Sequence, residues 1–210
     1  MKKVITILAI LVVLVGTVFA QDAQTLTLST KVAEIIPVFG IEYDANSTSE
    51  GTVDGTTVTL DDSIADGPIT VSFIVSQNGG SGKTDGAAVS GYSRYGAKTS
   101  GSDVTITVTC AQFVGTGDAA GEKSVAPNLS AAYATVVQSN TNKLSFPATN
   151  PANVTAAQNA TETAINLVPK YYGKKVVDQE IGTVTATWAQ KEDLLFGTYT
   201  ANITLTCTAD

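Results

Sequence analysis

The sequence predicts an all-β protein, a sandwich of about 7–10 short strands with long Gly/Ser-rich and Ala/Asn-rich loops. Three observations carry that expectation. In the stretch 197–208, Tyr199, Ala201, Ile203, Leu205 and Cys207 are apolar while Thr200, Asn202, Thr204, Thr206 and Thr208 are polar. A period of two puts alternate side chains on opposite faces of a strand, and β-branched threonine suits the solvated face. The same grammar recurs in 103–110, where Val104, Ile106, Val108 and Cys110 form the inward row. Finally, the apolar runs are punctuated by turn-forming clusters such as Asp61-Asp62 and Asp66-Gly67-Pro68, which break the chain into short strands.

Taken in order, residues 1–20 combine Lys2-Lys3, an apolar run from Val4 to Val15 and the small-residue ending Val18-Phe19-Ala20. This reads as a secretory signal peptide cut after Ala20. A retained membrane anchor is disfavoured, because the apolar run falls short of the roughly 20 residues that span a bilayer. Residues 21–210 are expected to form one elaborated domain, exported to the periplasm, the cell surface or the medium. Losing Lys2 and Lys3 from 12 basic residues leaves 10 against 19 acidic ones. So acidic a balance argues against nucleic acid as a partner and against binding anionic membrane after signal cleavage, since both need a cationic face.

Residues 25–33 alternate Leu26, Leu28 and Val32 against Thr27, Ser29 and Lys31, which reads as a strand, and 35–43 continues as an extended apolar segment. Pro37 has no N–H to give a ladder, so it marks an edge, a bend or a sheet crossing. Residues 46–55 read as a polar turn region, 56–60 as a short strand and 69–75 as a strong one. The stretch 78–102 is too long and too rich in Gly and Ser for an ordinary hairpin, and reads as a mobile loop or irregular excursion. Residues 115–168 are the least legible. Within them, Asn150-Pro151 could start a helix with Val154, Ala157, Thr161, Ile165 and Val168 near one face. Strand pattern resumes at 182–188, which ends in Trp188, expected in the core.

The two cysteines, each closing an alternating run on its inward row, are expected to bridge Cys110 and Cys207 in an oxidising compartment. That bridge would close 97 residues, worth roughly 4 to 5 kcal/mol in the chain-entropy model. The alternative is two buried free thiols.

Chemistry is sparse. Asn78-Gly-Gly-Ser-Gly-Lys-Thr84 looks like a phosphate-binding loop, but Gln77 stands where the first glycine belongs and no helix pattern follows, so a Gly-rich loop is the better reading. The chain has no histidine, which removes the commonest general base and the commonest zinc ligand. Acidic residues such as Asp61, Asp62, Glu180, Glu192 and Asp193 are available for carboxylate chemistry, yet no nucleophile, base and oxyanion donor can be assembled. The expectation is a protein that is not an enzyme, with no metal site and no cofactor. Two clusters pair aromatics with cations: Tyr92, Arg94 and Tyr95, and Tyr171 and Tyr172 among Lys170, Lys174 and Lys175. Such residues carry interface energy and stack on sugars, so they are candidate binding loops for a glycan or host protein. The bland reading is that the tyrosines cover strand edges and the lysines keep the surface soluble.

The alternating 25–32 followed by Ile35-Ile-Pro-Val38, and the closing Gly197-Thr-Tyr-Thr-Ala-Asn-Ile-Thr-Leu205, resemble the first and last strands of chaperone-usher pilins, especially the colonisation-factor and related alternative branches. The resemblance covers about thirty residues of the chain, all of them strand pattern. It implies an incomplete immunoglobulin-like sandwich whose N-terminal extension fills the missing strand of the next subunit. That role would fall here to 23–32, with Leu26, Leu28 and Val32 as the strand-donor residues. The expected partners are further copies or related surface subunits.

Overall fold

In this computed structural model, residues 38–77, 86–90, 102–135, 144–171 and 179–209 are described. Their strands are β1 (Val38–Tyr43), β2 (Gly51–Asp54), β3 (Thr57–Leu60), β4 (Ile69–Gln77), β5 (Gly86–Ser90), β6 (Ser102–Ala111), β7 (Val114–Thr116), β8 (Asn128–Tyr133), β9 (Leu144–Ser145), β10 (Glu162–Leu167), β11 (Lys170–Tyr171), β12 (Gln179–Trp188), β13 (Thr198–Thr200) and β14 (Ile203–Ala209). The one helical element among the described residues is a 3-10 turn at Gly117–Ala119.

Two antiparallel sheets form the sandwich. One runs in the order β5-β1-β4-β12-β8; in the other, β6 is flanked by β14 on one side and by β10 and then β11 on the other, with β9 beyond β11. Alternation decides what lies between them. Ile69, Val71, Phe73 and Val75 of β4, Val184, Ala186 and Trp188 of β12, and Val104, Ile106, Val108 and Cys110 of β6 are all buried in one core. Trp188 is among the largest fully buried side chains; its Nε1 donates to the Ala111 carbonyl at 2.9 Å, so its polar atom ties the two sheets together. On the outer face of the first sheet the threonines and serines pair across strands, Thr70 with Thr187 and Ser72 with Thr185. At Gly182, where the register of β12 against β4 shifts, an added Cβ would run into the Ala132 carbonyl.

The strands expected at 56–60, 69–75, 103–110 and 182–188 are present. Three local readings change. The helix that Asn150-Pro151 could start does not form: the Asn150 Oδ1 accepts from the Tyr133 N–H, and Val154 exchanges backbone hydrogen bonds with Leu129. Residues 162–167 then form β10, in which Thr163, Ile165 and Leu167 are buried and their neighbours exposed. A period of two beside the waiting edge of β6 outweighs the looser helical spacing. The turn region expected at 46–55 contains β2, which makes a hairpin with β3 through Gly55 at φ 61, a left-handed conformation open to glycine. The excursion expected at 78–102 contains β5, which adds to β1; the rest of it, the Gly-rich loop included, lies outside the described residues. So do the signal peptide and the candidate donor residues Leu26, Leu28 and Val32.

Candidate functional site

The last strand does not run unbroken from 199 to 208. It divides at Ala201-Asn202 into β13, which pairs with β7, and β14, which pairs with β6. The alternation survives the break: Thr204, Thr206 and Thr208 are exposed, while Leu205 is buried and Ile203 and Cys207 are half-buried against the core.

Hydrogen bonding shows which way the backbone of β14 points. The Ala111 N–H donates to the Asn202 carbonyl at 2.9 Å, and these two residues directly precede the Cys110–Ile203 pair in the register. In an antiparallel ladder, alternate residues turn their N–H and C=O to opposite sides. Thr204, Thr206 and Thr208 therefore bond to β6, and Ile203, Leu205 and Cys207 turn their backbone groups away from it. No strand among the described residues pairs with that outer side. The same three residues send their side chains to the core, so the edge offers a hydrogen-bonding row above a partly uncovered apolar row. On β6, Cys110 and Ile106, their cross-strand neighbours, are fully buried. The stretch 197–209 carries no charge and no proline, the residues with which sheet edges are ordinarily guarded. β5 and β1 of the facing sheet pack against β14 at this margin.

The expected disulfide is corrected. Cys110 and Cys207 do lie on neighbouring strands and in the same inward row, but both are free. Cys110 stands opposite Ile203 and Cys207 opposite Ile106, four positions apart along the ladder. At about 3.4 Å per residue that is ~14 Å of strand, twice the ~7 Å limit between bridged Cα atoms. Both alternating runs ended in cysteine, but antiparallel pairing sets those two ends apart. Burial pushes the Cys110 thiol up to about 12 and the Cys207 thiol up to about 11, so neither is a nucleophile near neutrality.

The aromatic clusters are placed only in part. Tyr171 belongs to β11 and pairs with Ser102 at the start of β6; Tyr92, Arg94, Tyr95 and Tyr172 lie outside the described residues. One surface feature escaped the sequence reading. Phe196 is 96% exposed and Leu195 55%, in the segment between β12 and β13. Their apolar character was the available signal. Among the described residues no group of His, Cys, Asp and Glu is arranged to hold a metal ion. In comparisons with family models, with curated proteins and with solved structures, nothing matches this chain.

Proposed function

We propose that this protein is an exported, non-enzymatic structural subunit of the cell surface, similar to a pilus or fimbria component, which assembles by strand pairing between copies. The observation that carries the reading is the outer edge of β14, with a backbone row that no strand among the described residues pairs with, half-covered Ile203 and Cys207 and no charge in 197–209. The segment 25–32 has the complementary character, with Leu26, Leu28 and Val32 in one alternating row. A strand added at such an edge gains affinity from main-chain hydrogen bonds and selectivity from alternate side chains. Electron microscopy of the cell surface and sizing of residues 21–210 test the reading. Filaments or oligomers are expected, and deletion of 21–32 should abolish them while the sandwich stays folded. A monomer whose deletion only lowers the melting temperature would overturn it.

A second reading, a secreted adhesin-like module for a glycan or host protein, draws on the aromatic and cationic residues of the two clusters, Tyr92, Arg94 and Tyr95 in one and Tyr171 and Tyr172 in the other. Loops at one end of a sandwich commonly carry binding. A glycan or matrix-protein array should then lose its signal in a Tyr92→Ala/Tyr95→Ala variant.

A further inference from the structure

Five Asn-x-Ser/Thr triplets stand in the chain, beginning at Asn46, Asn128, Asn153, Asn159 and Asn202, none with proline in the middle. In an exported protein such a triplet on a surface loop is an acceptor for N-linked oligosaccharide. All five asparagines are exposed, so exposure alone does not choose among them. Their backbone surroundings do. Asn128 opens β8, and its Oδ1 accepts from the Ala156 N–H at 2.9 Å. Asn153 precedes Val154, which exchanges backbone hydrogen bonds with Leu129. The Asn202 carbonyl accepts from the Ala111 N–H, and Thr204 of its triplet stands inside the β14 ladder. These three triplets are tied into strands or bridges, whereas Asn46 and Asn159 lie in turns.

The triplet at Asn46 is held in a form that presents it. Between β1 and β2, Asn46 and Thr48 are exposed while Ser47 and Ser49 are buried. Each buried serine is fastened to β4: the Ser47 Oγ accepts from the Ser72 N–H at 2.9 Å, and the Ser49 Oγ from the Thr70 N–H at 3.0 Å. With the serines fixed inward, the asparagine amide and the hydroxyl two residues on, which define the triplet, face solvent together. Asp44 adds a chemical feature. Its Oδ1 accepts from both the backbone N–H and the side-chain Nδ2 of Asn46, each at 2.9 Å. An amide nitrogen is a poor nucleophile because its lone pair is delocalised into the carbonyl, and a carboxylate that accepts its N–H in a charge-assisted bond raises the electron density on that nitrogen. Asn159 has Ala157 at the corresponding position.

From this arrangement we infer that Asn46 is a glycosylation site, which takes an oligosaccharide from a polyprenyl-pyrophosphate donor. The bond formed joins the Asn46 Nδ2 to C1 of the first sugar. The C1–O bond to the pyrophosphate breaks, the pyrophosphate leaves with the electron pair, and the Nδ2 proton passes to a base of the transferase. A sugar there is bulky and solubilising. The inference rests on the export part of the proposed function and not on strand pairing at β14.

The test incubates protein expressed from the full chain with a single-subunit N-oligosaccharyltransferase and a polyprenyl-pyrophosphate oligosaccharide, followed by trypsin and mass spectrometry. Lys31 and Lys83 bound a stretch with no other basic residue and no second triplet, so a gain of one oligosaccharide on that peptide reports Asn46. That gain is expected. Asn46→Gln and Thr48→Ala should abolish it, Thr48→Ser should keep it, and Asp44→Ala should remove most of it. Asn46 and Thr48 are exposed, so an unchanged melting temperature serves as the folding control for their variants. An unmodified 32–83 peptide, modification of Asn159 in preference to Asn46, or indifference to Asp44→Ala would overturn the inference. Donor and enzyme are both supplied, so the outcome does not depend on export, which the same spectra read separately from whether the protein begins at Gln21.

Discussion

Cys110 shows how a single residue type can be read in two ways. Cysteines at the ends of two neighbouring strands, in a chain expected to be exported, point to a bridge, yet the register holds them apart and burial raises both thiols. The protein should therefore show two alkylatable thiols in denaturant without reduction, and a melting temperature indifferent to reductant. The raised values also set a pH dependence. Below about pH 8.5, the ordinary thiol value, folded and unfolded chains both keep the Cys110 proton and the group contributes nothing to the slope. Above it the unfolded chain releases the proton while the folded chain holds it, up to about 12, so stability falls as pH rises through that window. Denaturant titrations at pH 8 and pH 10.5 should show a smaller loss for Cys110→Ala than for the wild type, even though the variant starts less stable.

At the scale of the element, β14 is a strand with two unlike sides. Thr206 turns its N–H to β6, and Cys207 turns its N–H outward. Proline removes a donor wherever it stands, and at an outward position of an edge strand it costs no ladder bond. Thr206→Pro should thus destabilise the fold by about 3 kcal/mol or more, and Cys207→Pro by clearly less while blocking strand addition. Thermal unfolding measured beside filament assembly checks the pair: if both variants lose stability equally, the backbone directions given above are wrong. β10 carries a related lesson. Thr163, Ile165 and Leu167 do alternate in the sequence, but Asn150-Pro151 upstream looked like a helix start, and only the edge of β6 decides between the two.

Across the whole molecule, the central ladders join distant parts of the chain. β4 pairs with β12, and β6 with β14, so the sandwich closes only when both ends of the described chain are present. Loop closure must precede those contacts, which places refolding in the millisecond-to-second range typical of all-β sandwiches. Stopped-flow tryptophan fluorescence of the buried Trp188 would follow it directly; completion within microseconds would contradict the topology.

Local chemistry in the sequence determined the all-β class, the inward rows of β4, β6, β12 and β14, and the burial of Trp188, because a period of two and a bulky apolar side chain act through nearest neighbours. It also made β6 and β14 plausible neighbours. Tertiary structure alone decided their register, and with it the fate of the cysteines, since a ladder can slide by two residues without moving any side chain to the wrong face. It likewise decided that 162–167 is a strand and that 197–209 divides in two. The exposed tip at Phe196 belongs to the same class of fact: its apolar character is in the sequence, but only the packing of the strands around it leaves it uncovered.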